Sequence, residues 1–415
     1  MGPLIRYALA RLVRFGSLEV ETADGEIRIY GDGGAPHAGI KIKDRGAELR
    51  LMLDPALYMG ELFTDGRVEI TKGDLYDVLA IGARNLAEAP GWLKWIGRAR
   101  RLARPFRPRN DRRRARSNVE RHYDLNVQLY DLFLDADRQY SCAYFERPGD
   151  SLDQAQLAKK RHLAAKLLVE AKHRVLDIGC GFGGLALYLA EMVGADITGV
   201  TLSREQFAVA TKRAADSGLA DLVHFALKDY RDVEEGFDRI VSVGMFEHVG
   251  AAHYNEFFSN VRRLLNDDGV MILHAIGRSS SPSATNPWIK KHIFPGGYIP
   301  ALSEVLAAIE QAGLFVTDIE ILRLHYAQTL KSWRERFSAR RDEAMAMYDE
   351  RFCRMWEFYL AGAESSFRVD GHMVFQIQLA KRQDIVPLTR DYVAEREDRL
   401  RLREGQKPAL RLAGE

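Results

Sequence analysis

One stretch constrains the fold of this chain more than any other. A short apolar run (Val175, Leu176, Ile178) meets a cluster of glycines at Gly179, Gly181, Gly183 and Gly184. It then leaves through Leu185, Ala186, Leu187 and Leu189. The first part reads as a buried strand and the last as a helix. The glycines let the backbone turn tightly and approach a ligand without a Cβ in the way. The helix that follows offers unpaired N–H groups to whatever sits there. Strand, glycine loop and helix together form the nucleotide-cofactor geometry of doubly wound α/β proteins.

An ordinary strand-to-helix turn can carry the same residues, and a nicotinamide site is a second rival. That site wants an acid at the tip of the next strand, about 20 residues on, to hold a ribose. Here the next strand, 196–200, ends in Thr201, Leu202 and Ser203. Asp177 instead lies inside the end of the first strand. A carboxylate beside the loop suits S-adenosylmethionine, whose amino-acid part is a zwitterion.

The chain has 415 residues, enough for two domains, with 47% hydrophobic and 28% charged content. A net charge of +2 excludes a general polyanion binder, and no run is long and apolar enough to cross a bilayer. Cys142, Cys180 and Cys353 lie far apart, which argues against a disulfide framework or a metal site and for a reducing cytoplasm.

Residues 1–97 read as a small α+β domain. A helix is expected over 4–13, which either packs on its own domain or touches lipid. Period-two stretches at 17–20, 26–30, 40–43 and 48–53 predict a small antiparallel sheet, with helices near 57–63 and 75–86. Residues 98–116 form a linker holding ten arginines against the single acid Asp111. Each cation near an anionic membrane contributes about 1 kcal/mol, and no stacking motif for nucleic acid accompanies them. Polar groups and aromatics then interleave from Asn118 to Tyr144, as in a pocket wall. Over the first part of the catalytic domain 117–385, to residue 276, strands alternate with helices, which implies a parallel sheet with ligands beyond the carboxyl ends of its strands, and the alternation then breaks at a loop-like stretch, 277–300. Aromatic-rich helices after the core strands suit a roof over an oily substrate. Residues 386–415 read as a charged tail.

Several segments are specific enough to carry a resemblance: Tyr140 to Tyr144, Val175 to Gly184, Gly199 to Gln206, Asp229 to Arg231, Gly244 to Gly250, His274 to Gly277, Tyr326 to Leu330 and Phe375 to Leu379. In them the chain resembles the cyclopropane-fatty-acyl-phospholipid synthases and their mycolic acid methyltransferase relatives, over about 117–381. The fold class this implies is α/β: a Rossmann-like class I S-adenosylmethionine-dependent methyltransferase core with a helical lid, plus a small α+β N-terminal domain like the lipid-binding one of full-length bacterial enzymes. The resemblance assigns cofactor binding to Tyr140, Ser141, Asp177, Gly179, Gly181, Gly183, Thr201, Leu202, Gln206, Asp229 and Tyr230. It assigns a bound bicarbonate ion to Cys142, Glu247, His274, Ile276 and Tyr326, and it suggests a homodimer.

The chemistry explains such a cluster. A cis alkene attacks a sulfonium methyl and becomes a carbocation, and a proton must then leave the new methyl group before the ring closes. A small bound anion is a positioned base for that step. Faces of Tyr144, Trp288, Phe294 and Tyr326 are candidates to stabilise the cation. The expected reaction is methylene transfer to unsaturated phospholipid acyl chains by a cytoplasmic enzyme docked on the membrane. Three alternatives stay open: C-methylation without ring closure, N-methylation of a small molecule, and lipid binding without catalysis. One departure from the family pattern stands out. Ala363 takes the place of a frequent cysteine, beside Glu364, which either orients the anion or substrate or pairs with Arg368.

Overall fold

The structure is a computed structural model that describes residues 3–87 and 126–406. The arginine-rich segment 98–116, the front of the interleaved stretch from Asn118 to Asp124 and the last nine residues lie outside the described residues.

In chain order the front elements are α1 (Pro3–Leu12), β1 (Ser17–Glu21), β2 (Ile27–Gly31), β3 (His37–Ile42), α2 (Arg45–Leu53), α3 (Pro55–Thr64), β4 (Val68–Lys72) and α4 (Leu75–Ala87). Then come α5 (Val127–Asp131), α6 (Leu152–Lys166), β5 (Arg174–Ile178), α7 (Gly184–Val193), β6 (Asp196–Thr201), α8 (Arg204–Asp216), β7 (Val223–Leu227), β8 (Phe237–Val243), α9 (Tyr254–Leu264) and β9 (Leu265–Arg278). The remainder is α10 (Pro287–His292), α11 (Leu302–Gln311), β10 (Phe315–Ile321), α12 (His325–Ala339), α13 (Arg341–Met347), α14 (Glu350–Val369), β11 (His372–Ala380) and α15 (Asp391–Gln406).

The chain divides into two compact units. One holds residues 1–108, 283–295 and 330–372, and the other holds 109–282, 296–329 and 373–415. The aromatic helices α10 and α14 therefore group with the front of the chain. Gly60 on α3 shows why: a Cβ there would press within 2.5–2.7 Å of Trp288 on α10 and Phe358 on α14. Only glycine allows so close an approach. Lys291 adds an ion pair to Glu61 at 2.5 Å.

The front sheet has the order β2-β1-β3-β4, and it departs from expectation in two ways. β1 and β3 run parallel, so the sheet is mixed. The stretch 48–53, read as a strand, is the helix α2. Asp44 caps it by accepting a hydrogen bond from Ala47 N at 2.9 Å, and Arg67 grips the same carboxylate. Ala47 and Glu48 are buried while Leu49 and Leu53 are exposed. Alternating hydrophobicity there does not report a sheet face, because the cap sets the conformation.

The second unit is built on a seven-stranded sheet of order β10-β11-β9-β8-β5-β6-β7. Strands β5 to β9 pair in parallel. The chain runs from β5 outward to β6 and β7, then crosses to β8 on the other side. The order reverses at β5, so the crevice for ligands opens at the carboxyl ends of β5 and β8. This is the doubly wound core that the glycine loop predicts.

The tail expected from 386 onward contains an ordered helix. α15 packs along α6, where Glu397 meets His162 at 2.6 Å and Glu404 meets Arg161 at 3.0 Å and the Tyr188 hydroxyl at 2.6 Å. Its high charge reads as solvated in sequence, but the partners are buried cations on another helix. We expect Glu404→Ala to cost about 1–3 kcal/mol, since it strips partners from two buried polar groups. Asp398→Ala, which breaks an exposed pair with Arg401, should stay within about 0.5 kcal/mol. Urea denaturation midpoints of the two variants check this.

Candidate active site

The glycine loop adopts the conformation its residues permit. Gly179, Gly181 and Gly183 all have positive φ, at +84°, +55° and +83°. A Cβ at Gly179 would strike Met245 and one at Gly183 would strike Phe225, whereas one at Gly181 would meet nothing within 4 Å. Gly181 therefore faces open space just before the N-terminus of α7. Asp177, at the end of β5, is buried, and desolvation lifts its carboxyl to about 7 despite the nearby Lys159 charge.

Tyr140 is seated against this loop by an aromatic knot. It packs edge-on to Tyr130 at 5.4 Å, and Tyr130 packs edge-on to Phe182 of the loop at 5.7 Å. Ser141 is held from behind by α6. Lys159 Nζ donates to its hydroxyl at 2.7 Å and Gln156 donates to its carbonyl at 2.9 Å. At the tip of β6, Thr201 donates to Gln206 Oε1 at 2.9 Å, with Leu202 between them in sequence. After β7, Asp229 holds Arg231 bidentately at 2.9 and 2.7 Å, while Tyr230 packs edge-on to Phe257. The Asp229 carboxylate is thus committed at least in part to its own turn.

The second group of residues lies beyond β8 and β9. Glu247, in the turn after β8, accepts from the Ile276 backbone N–H on β9 at 2.6 Å. His274, two residues earlier on β9, meets the Gln376 side-chain amide of β11 at 3.2 Å through Nδ1. Both acid and imidazole are buried. Burial pushes Glu247 up to about 7, whereas burial and the charges of Lys159, Lys166 and His162 push His274 well below its usual value. His274 is therefore neutral, and with Nδ1 accepting from Gln376 its proton sits on Nε2.

Three atoms here are buried and meet no partner among the described residues: Glu247 Oε2, His274 Nε2 and Gln376 Oε1. An unmet buried polar group costs about 1–3 kcal/mol. Such a concentration of unmet groups fits a small polar ligand offering both acceptor and donor, as bicarbonate does.

The Cys142 segment meets α12 at Thr329, three residues beyond Tyr326 in sequence. Thr329 accepts from Ala143 N at 3.1 Å and bonds the Cys142 thiol, whose pKa burial raises strongly. The charge of Lys159 acts on both Cys142 and His274. The structure thus joins Glu247 to Ile276 directly, His274 to Gln376, and the Cys142–Ala143 segment to Thr329 of α12.

Two sequence readings change here. Tyr144 was a candidate to face a carbocation, but both its faces are covered. One stacks on His162 at 4.2 Å and the other on His325 at 5.0 Å, with interplanar angles of 6° and 3°. Of the two readings of Glu364, the ion pair is the one present. Its oxygens accept from Arg334 at 3.2 Å and Arg368 at 3.0 Å.

Lys159, Gln376, Thr329 and His162 received no role from the sequence. For Gln376 the available signal was a glutamine in an otherwise apolar run. Gln376 and Gln378 both lie in the apolar strand β11, and both are fully buried.

The comparisons with known proteins agree with this geometry. The family profile of mycolic acid cyclopropane synthetases matches residues 110–377. The chain is 38% identical to the cyclopropane-fatty-acyl-phospholipid synthase of Escherichia coli K12, over 84% of this chain and 89% of that one. It is 36% identical to a probable fatty acid methyltransferase of Pseudomonas putida, over 84% and 88%. Among solved structures it resembles the mycolic acid cyclopropane synthase CmaA1 complexed with SAH and CTAB, with a TM-score of 0.60 and 34% identity, over 64% of this chain and 97% of that one.

The Glu247 shift has a consequence for stability. An unfolded glutamate loses its proton near pH 4.3, at the model-peptide value, whereas Glu247 keeps it to about 7. Between these values the folded chain binds more protons, so stability falls as pH rises through that window. Glu247→Gln removes this dependence and can keep the bond to Ile276. We expect the unliganded variant to gain on the order of 2 kcal/mol over wild type between pH 5 and pH 8. Denaturation at both pH values checks it, and a difference that does not vary with pH would exclude the buried, protonated acid.

Proposed function

The chain belongs to the mycolic acid cyclopropane synthetase family, and on that premise we propose that it transfers a methylene group from S-adenosylmethionine to the cis double bond of unsaturated phospholipid acyl chains, forming cyclopropane rings. It is an S-adenosylmethionine-dependent methyltransferase of the cyclopropane synthase type. The observation that supports the ring-closing chemistry best is the pairing of Glu247, through Ile276 N, with unmet buried atoms on Glu247 and His274.

When bound, S-adenosylmethionine supplies the electrophilic methyl carbon, and bicarbonate supplies the base for the proton that must leave it. The residues of the chain do the rest. The open side of Gly181, the α7 N-terminus, Tyr140 and Ser141 hold the cofactor's amino-acid end, with Asp177 facing its ammonium group. Thr201, Leu202 and Gln206 at the tip of β6, with Asp229 and Tyr230 after β7, line the nucleoside side. Glu247 Oε2, His274 Nε2–H, the Ile276 segment, Cys142 and Tyr326 hold the anion. His274 is suited to this because it is neutral and donates from a fixed nitrogen. Glu247 is suited because its raised pKa lets it carry a proton and donate to an anion at neutral pH. The apolar strands around the site exclude water that would otherwise capture the developing cation.

A second reading is methyl transfer without ring closure. The fatty acid methyltransferase name of the Pseudomonas putida relative favours it, as does Ala363 at the family's cysteine position. The same cation leads to both products, and only the proton lost differs. Among the described residues no helix is long and apolar enough to cross a membrane. Access to phospholipid would then come from docking at the inner membrane face, with the arginines of 98–116 as the electrostatic contact, and the enzyme acting as a homodimer.

Wild-type enzyme incubated with S-adenosylmethionine and unsaturated phospholipid should add one CH2 to the acyl chains. Proton NMR should show upfield ring protons, and a plain methyl signal instead would establish the second reading. Glu247→Gln should lower turnover by at least about 100-fold, with affinity for S-adenosylhomocysteine within about 3-fold of wild type. Full turnover in this variant would remove the anion-site assignment.

A further inference from the structure

We propose that Lys159 is the positioning residue that reads the carboxylate of the cofactor, acting through the Ser141 hydroxyl. This rests on the S-adenosylmethionine reading above and names how one end of that molecule is recognised.

Lys159 is fully buried on α6. Its ammonium donates to Gln139 Oε1 at 2.6 Å and to Ser141 Oγ at 2.7 Å, both neutral oxygens. The neighbouring lysines of the helix behave differently. Lys160 sits on Asp137 at 2.6 Å, and Lys166 on Asp318 and Glu320 at 3.1 and 3.0 Å. Asp137 is committed to Lys160 and Arg213. Lysine is almost never fully buried without an ion partner, and desolvation pulls Lys159 down to about 8. The carboxylates of Asp135 and Asp137 act on it through space, while the oxygens it hydrogen-bonds are both neutral; a cation so placed is suited to an anion that arrives from outside the chain.

The place itself is the cofactor crevice. Gln139 lies so close to Gly184, the first residue of α7, that a Cβ there would overlap its amide. Ser141 Cβ would lie 3.8 Å from a Cβ on Gly244, at the end of β8. The two partners of Lys159 therefore flank the carboxyl ends of β5 and β8. Asp177 feels the Lys159 charge from the end of β5. Cation and acid are thus within electrostatic reach of each other beside the glycine loop, as the two ends of a zwitterion require.

The hydrogen-bond logic fixes the role of Ser141. An ammonium can only donate, so Ser141 Oγ accepts from Lys159. Its single O–H must then donate elsewhere, and a carboxylate is an acceptor only. Lys159 both orients that hydroxyl and strengthens it as a donor through the adjacent charge. The competing role is a mechanical brace. Gln156 also ties down this segment, through Gln139 O and Ser141 O at 3.2 and 2.9 Å. A brace would support every ligand of the crevice alike, so ligand choice separates the two.

The test measures calorimetric affinity for S-adenosylhomocysteine and for 5′-methylthioadenosine, which keeps the nucleoside and thioether but lacks the amino-acid end. In Lys159→Met we expect affinity for S-adenosylhomocysteine to fall about 30-fold, with methylthioadenosine changed by less than about 3-fold. Ser141→Ala should show the same selectivity, and the double variant should lose less than the sum of the two. Retained methylthioadenosine binding shows that the crevice is folded. Equal losses for both ligands, in Lys159→Met or in Ser141→Ala should Lys159→Met not fold, would make the pair a brace and overturn the proposal, as would no loss at all. Failure of wild-type protein to bind S-adenosylhomocysteine would instead remove the cofactor reading.

Discussion

Burying charge on one helix is the constraint around which the second unit is arranged. α6 carries Lys159, Lys160, Arg161, His162 and Lys166, and all five are buried. Taking an ion out of water costs several kcal/mol unless partners compensate it. The partners come from nearly every direction. Asp137 comes from the segment before the helix, Glu146 and Glu404 hold Arg161, and Glu320 of β10 and Glu397 of α15 grip His162 from both ring nitrogens. Burial pulls the His162 pKa down, and the paired carboxylates outweigh it and raise the pKa above its usual value. These bonds fix the position of α6 against the sheet, the C-terminal helix and the wall segment 137–146 at once. A helix with so little apolar stripe would otherwise have weak reason to settle at one angle.

The wall inherits that rigidity. His162 stacks on Tyr144, Tyr144 stacks on His325, and His325 Nδ1 accepts from Phe145 N at 3.0 Å. His325 opens α12, whose next residue is Tyr326. Thr329 on the same helix accepts from Ala143 N. The chain of contacts therefore runs from the charges on α6 to the start of α12, where Tyr326 belongs to the anion cluster we propose. Tyr144 serves this chain as a spacer between two imidazoles, which is why it has no face left for substrate.

How much of this the sequence disclosed follows from how local each cause is. The glycine loop, the β/α alternation and the strand ends at Asp177 and Thr201 were readable because their physics lies within a few residues. Glu247 and His274 were readable through a family resemblance. Taken singly, an acid in a turn and a histidine in a strand are ordinary. The misread parts depend on distant partners. α2 looked like a strand because Asp44 and its grip on Arg67 outweigh the alternation of 48–53. α15 looked like a solvated tail because Arg161 and His162, more than two hundred residues away, cannot be seen from Glu397 and Glu404. Gln376 was passed over because a polar residue in an apolar strand has no signature until its partner is known, and Lys159 because nothing local separates it from Lys160, Arg161 and His162 beside it.

Glu364 illustrates the same point where the family pattern breaks. From sequence, a glutamate beside Ala363 either orients the anion or substrate or pairs with Arg368. In the fold it is nearly fully buried, with one oxygen given to Arg334 and the other to Arg368. Both oxygens of this carboxylate are therefore taken up by guanidiniums of its own unit. Arg334 is further engaged by Asp74 and lies over the Tyr76 ring, so the pair is part of a fixed network. The Glu247–His274 group is the opposite case: neutral, buried and with unmet atoms. Glu364 keeps its own unit together, and the atoms left unmet for a small ligand are those of Glu247 and His274.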